Sequence, residues 1–180
     1  MFNFFKKKKE PDYDVTNLQI SDLDVGFIFE YDLKSWVVKE KYEYQWNTNN
    51  FSYEYKIDSG DDVAFLSVED EGMLKLGIFR PMKIRKIDED VADEIARTEK
   101  APRQIHYNGE QYFLNSDTAG HFRECGKKTE DWEELISFEY LTEEEDKIVS
   151  ISQWDEETFE ASEGISIESY QISNIIPGSS

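Results

Sequence analysis

A single cysteine, Cys125, in 180 residues excludes an intrachain disulfide and suits a reducing compartment. Histidine is almost as scarce: only His106 and His121 occur. Three soft ligands fall short of a structural zinc site, which takes four in paired spacing. His121 and Cys125 lie four residues apart, and on a strand that separation is about 13 Å, too far to share an ion. The nine glycines form no G-x-x-x-x-G-K or G-x-G-x-x-G cradle for phosphate. No serine sits in G-x-S-x-G. Asp58 to Asp62 (DSGDD) is too short and wrongly ordered for a calcium loop. The expectation is therefore no metal and no cofactor, with no visible nucleophile. Positive charge is also in short supply: 20 Lys and Arg face 40 Asp and Glu, for a net charge of −20. So acidic a chain is not expected to bind nucleic acid, whose phosphates need Lys and Arg. No apolar run approaches the roughly 20 residues of a membrane span.

What is abundant is aromatic. Phe, Trp and Tyr make up 14% of the chain, a bias that favours strands. Tyr42, Tyr44 and Trp46 alternate with polar residues, as do Tyr53, Tyr55 and Ile57, which is the period of half-buried strands. Val25 to Phe29 reads as a first strand, Lys83 to Ile87 as a short one, and Ala119 to Cys125 as another. Asn108-Gly109 between Ile105, Tyr107 and Tyr112 marks a two-residue hairpin turn. Val91 and Ile95 lie on one helix face, Asp88 is placed to cap it, and Pro102 to stop it.

The pattern also repeats. Ser52 to Glu71 (SYEYKIDSGDDVAFLSVEDE) aligns without a gap on Ser137 to Glu156 (SFEYLTEEEDKIVSISQWDE), at an offset of 85 residues (137 − 52). Ser52/Ser137, Glu54/Glu139, Tyr55/Tyr140 and Ser67/Ser152 are among the identical pairs. Aromatics fall on one face of each copy, with Ser and Glu on the other. Upstream, Tyr31 to Val38 (YDLKSWVV) matches Tyr107 to Leu114 (YNGEQYFL) loosely. Repetition bounds the architecture before it names an activity. The expected fold is mainly β: an antiparallel sandwich or partly closed barrel of two related meander units, with one connecting helix near residues 88–100. The expected organisation is a basic aromatic tail over 1–14, a first β unit over 15–86, a connecting helix over 87–103, and a second β unit over 104–176. The two units pack as one domain, and 177–180 are a frayed end. The oligomeric state is left open.

The order of short motifs resembles a family, the bacterial domain-of-unknown-function family numbered 4178. Phe65 to Glu69 (FLSVE) is similar to its Trp-Leu-x-Val-Glu segment, with Phe for Trp. Tyr107 to Leu114 is similar to its Tyr-x-Gly-x-x-Tyr-x-Leu, and Trp154 to Gly164 to its closing Trp, acidic, aromatic, Gly segment. The resemblance covers roughly residues 18–172. It implies a bacterial cytoplasmic protein, loosely in the neighbourhood of membrane-stress genes, and supplies no catalytic residues.

Charge is uneven along the chain. From Thr129 to Ser180 there are fifteen acidic residues and one basic, Lys147. At the other end Phe2, Phe4 and Phe5 precede Lys6, Lys7, Lys8 and Lys9. That foot reads either as a disordered leader or as a weak peripheral contact with anionic lipid on the inner face of the membrane. The leading functional expectation is a non-enzymatic interaction module. It binds a protein partner carrying a basic patch through Glu143, Glu144, Glu145, Asp146, Asp155, Glu156 and Glu157, with Trp154 as aromatic anchor. The alternatives are an enzyme or small-ligand-binding β-barrel with an unrecognised carboxylate site, and a DNA mimic. Carboxylates in turns are usually solvated, and nothing in the sequence points to a desolvated one.

Overall fold

The computed structural model describes residues 14, 17–87, 90–127 and 131–178. It is a mainly β protein with eleven antiparallel strands in one sheet and one α-helix. In chain order the strands are β1 Ile28–Tyr31, β2 Lys34–Gln45, β3 Phe51–Asp58, β4 Val63–Asp70, β5 Leu74–Met82, β6 Gln104–Tyr107, β7 Glu110–Glu124, β8 Glu133–Leu141, β9 Lys147–Gln153, β10 Phe159–Ile167 and β11 Ser173–Ile176. The helix, α1, spans Val91–Thr98. β2 to β5 form one meander and β7 to β10 a second. Antiparallel pairings of β5 with β10 and of β2 with β7 join the meanders at both sides, so eight strands close into a ring.

Each meander is entered through a tight hairpin. β1 and β2 meet at Asp32-Leu33, and β6 and β7 at Asn108-Gly109. All four turn residues have φ between 48° and 78°, as a type I′ turn requires. Past the turn, β2 pairs first with β1 and then, from Tyr42 to Gln45, with β7. β7 does the same with β6 and β2. Both long strands carry a register shift at the change of partner, between Val38 and Glu40 in β2 and between Leu114 and Ser116 in β7. A bulge adds one residue, so it moves the alternation to the other face of the sheet. Trp36 and Val38 therefore face one way, while Glu40, Tyr42 and Tyr44 face the other.

The aromatic faces of the repeated hairpins are buried, but not against each other. Tyr55, Ile57, Ala64, Leu66 and Ile78 pack beneath β1, the 3₁₀ turn Ile20–Asp22 and Ile172. Phe138, Tyr140, Val149 and Ile151 pack beneath α1 and the β6–β7 hairpin, with Ile87, Val91, Ile95 and Ile105. There are thus two hydrophobic clusters, one on the outer wall of each meander, each with its own covering segment. The bare faces that would have called for a sandwich are covered locally.

Several boundaries differ from those expected. The helix begins at Val91 and ends at Thr98, with Glu99 left-handed at its C-cap; Asp88 lies outside the described residues. Lys83 to Ile87 holds a 3₁₀ turn, Ile84–Lys86, in place of a strand. β1 starts at Ile28, because Gly26 at φ 89° turns the chain just before it. The strand expected over Ala119 to Cys125 is part of a longer one: β7 runs from Glu110 to Glu124, its bulge absorbing the polar stretch around Asn115. Among the described residues no helix is long and apolar enough to cross a membrane.

Candidate ligand site inside the ring

The face opposite the hydrophobic clusters lines a hollow of about 810 Å³. Its walls come from both meanders, from β2 to β5 on one side and β8 to β10 on the other, so this face is the inside of the ring. The identical Ser and Glu pairs of the repeat meet there: Ser52 and Ser137, Glu54 and Glu139, Ser67 and Ser152 all line the hollow. The two copies do not use identical pairings. Glu54 lies opposite Ser67, whereas Glu139 lies opposite Ser150. A two-residue difference in hairpin register keeps the faces and changes the partners.

Aromatic rings are pressed flat onto the wall, and glycine makes room for them. Phe79 lies over Gly77 and Gly164; a Cβ on Gly77 would sit 2.6 Å from its ring, and one on Gly164 would overlap it too. Trp46 lies over Gly120 in the same way, at 2.6 Å from a Cβ there. Trp46 stacks on Tyr44 with centroids 5.3 Å apart, and its Nε1 donates to Ser52 Oγ at 2.8 Å. Phe122 touches Tyr42, Tyr44 and Trp154. Three scattered glycines thus buy interior space, a role that no glycine motif announces.

Glu54 is the principal charged group of the hollow. It is surrounded by protein, and the surface it keeps opens into the cavity. Tyr44 Oη donates to its Oε1 at 3.3 Å; Oε2 accepts from no described residue. Desolvation raises the carboxyl to about 7, with Glu160 adding to the rise and the Tyr44 hydrogen bond opposing it. The Tyr44 hydroxyl is held well above its ordinary range, by burial first and then by Glu54. Lys56, two residues along β3, does not neutralise Glu54: its Nζ is 2.8 Å from Glu40, which also accepts from the Tyr42 hydroxyl. Glu69, next along β4 from Ser67, is raised as well, chiefly by burial. Lys83 and Arg85 stand at the rim and are solvent-exposed. The absence of any sign of a desolvated carboxylate in the sequence is thereby corrected. Alternation places Glu54 on the polar face of β3, and here the polar face is the enclosed one.

The acidic residues expected at a docking surface are divided. Glu143 to Asp146 form the β8–β9 turn, and Asp155 to Glu157 the β9–β10 turn. They occupy opposite ends of seven-residue β9, roughly 20 Å apart at about 3.3 Å per residue. Asp155 is engaged in its own turn, accepting from the amides of Glu157 at 2.9 Å and Thr158 at 2.7 Å, and these bonds lower its carboxyl. Asp146 accepts from Thr142 Oγ1 at 2.9 Å. Trp154 turns inward and meets Phe122 edge-on at 5.2 Å. Its Nε1 is buried with no hydrogen-bond partner among the described residues, and its ring borders both the interior hollow and a second one beside α1, β7 and β8. His121 is exposed in β7, 4.0 Å from Glu134. Cys125, half-buried just beyond β7, has a thiol pushed up by burial. Phe2, Phe4, Phe5 and Lys6 to Lys9 lie outside the described residues.

Fold and site together define a ring of eight antiparallel strands with hydrophobic clusters on its outer walls and with aromatic rings, serines and carboxylates within. The chain belongs to the family described as Domain of unknown function (DUF4178), whose model matches residues 24–169. A protein of Aquifex aeolicus (strain VF5), described as uncharacterized, is 25% identical over 174 residues, which is 97% of this chain and 94% of that protein. No solved structure matches the chain.

Proposed function

We propose that the chain is a small-molecule-binding protein whose site is the interior of the strand ring. The observation that carries this reading is Glu54, a carboxylate surrounded by protein beside open space, with no cation paired to it among the described residues. Enclosing an ionisable group costs stability, and a ring serving only as scaffold would fill its interior with aliphatic side chains. Here the interior holds six serines, Ser52, Ser67, Ser137, Ser150, Ser152 and Ser162, between aromatic rings. A concave hollow with largely apolar walls and a few convergent polar groups is the ordinary make-up of a ligand pocket. Recognition of a basic protein partner through Glu143 to Asp146 and Asp155 to Glu157 ranks behind this reading, since the two clusters lie at opposite ends of β9 and Trp154 turns inward.

The test is a fragment screen by two-dimensional amide NMR on the full chain. Compounds that bind should shift amides of β3, β4, β8 and β9, and Ser150→Phe, which fills the hollow, should abolish those shifts. A diverse screen at millimolar concentration that moves no interior amide would overturn the proposal.

A further inference from the structure

Resting on that reading, we infer that the ligand is a small organic ammonium ion, with Glu54 as its counter-ion. Charge is the first reason. Among the described residues the lining carboxylates are Glu54 and Glu139, both half-buried, and Glu160, which is exposed; the lining cations are Lys83 and Arg85, both exposed at the rim. Lys56, the one inward-facing cation close to Glu54 in sequence, is held by Glu40. An anionic ligand would meet like charge at depth. A neutral one would leave Glu54 unpaired in a poorly solvated space, which is costly.

The second reason is geometry at Glu54 itself. Tyr44 occupies Oε1 and Oε2 has no described partner, so an organic cation arriving from the cavity has an anionic oxygen to lie against. A neutral hydroxyl could also donate there, but only a cation removes the penalty on the ionised carboxylate. The third reason is the wall. Tyr44 and Trp46 are stacked nearly parallel, 6° apart, and Trp46 and Phe79 are fixed against glycine. Rigid aromatic surface beside a carboxylate attracts an ammonium group through the ring quadrupole and favours it over a hydrated inorganic ion. Around it, Ser67 and Ser150, which lie opposite Glu54 and Glu139 in their hairpins, offer hydroxyls to the polar arm of such a cation.

The probes are choline and 3,3-dimethyl-1-butanol, which have nearly the same shape and differ by one positive charge. Binding is followed on the full-length protein by calorimetry and tryptophan fluorescence, Trp46 and Trp154 both lining the hollow. At pH 8 choline should bind at least tenfold more tightly than the alcohol, and Glu54→Gln should bring the two within about twofold. The wild type supplies its own control if that variant folds poorly. The ion should bind about tenfold more weakly at pH 6, where Glu54 holds its proton, and the alcohol equally at both values. Equal affinity for the two probes, or a preference for the alcohol, overturns the ammonium assignment. So does silence from choline when the fragment screen finds neutral or anionic ligands, and in that case the pocket still stands. If the screen finds no interior ligand at all, the pocket reading falls and the assignment falls with it.

Discussion

At the scale of the residue, the interior is shaped by side chains that are missing as much as by those present. Gly164 adopts ordinary extended backbone, so alanine there carries no backbone strain, and at an open strand site alanine is the better residue. Here its Cβ overlaps the Phe79 ring. Gly164→Ala should therefore destabilise by about 1–3 kcal/mol, the usual cost of overpacking, as read from the midpoint of urea denaturation. A small stabilisation would mean that the ring is free to move aside. Glu54 is governed by desolvation. Its folded carboxyl is raised to about 7 from an ordinary 4.5, so the folded state holds a proton that the unfolded chain has already released. Stability attached to this group is complete below about pH 4.5 and is lost as pH rises through 7. Glu54→Gln removes that dependence. Relative to wild type it should gain on the order of 3 kcal/mol between pH 4 and pH 8, by the linkage of pKa to stability. Parallel stability curves for the two proteins would contradict a dehydrated Glu54.

At the scale of the element, the bulges of β2 and β7 matter more than any strand. Lys39 is the extra residue in β2, solvent-exposed and without a packing role. Lys39→Ala should be neutral to within about 0.5 kcal/mol, as surface changes usually are. Deleting Lys39 restores simple alternation and turns Tyr42 and Tyr44 outward, so the deletion should abolish the dispersed amide NMR spectrum of the folded protein. A deletion variant that folds normally would refute the face switch. Much of this layer was legible in the sequence. Alternation located β2, β3, β4 and the β8–β9 hairpin; Asn108-Gly109 located a turn; Val91 and Ile95 located the helix. The bulges were not legible, because Lys39 and Asn115 are ordinary polar residues whose effect lies in count and not in type. For the same reason Trp36 to Val38 and Tyr42 to Trp46 read as separate segments, although β2 runs unbroken from Lys34 to Gln45.

At the scale of the whole molecule, closure decides what each face means. Alternation separates Tyr55 from Glu54 but does not say which one is shut in. Ordinary expectation gives the apolar face to the core and the polar face to water. Here β1 and Ile172 cover one apolar wall, α1 and the β6–β7 hairpin cover the other, and the β2–β7 and β5–β10 pairings seal the polar face inside. Those two pairings are non-local and leave no mark in either strand alone. The repeat had already brought Ser52, Glu54 and Ser67 together with Ser137, Glu139 and Ser152, so the lining was on view while its enclosure was not. Glu54 reports that enclosure, since the walls around it take its carboxyl out of water. The decisive measurement is the titration of its side-chain carboxyl by carbon-13 NMR, assigned with Glu54→Gln. A midpoint near 7 is the predicted result. A midpoint near the ordinary 4.5 would place Glu54 in water and contradict a closed interior site.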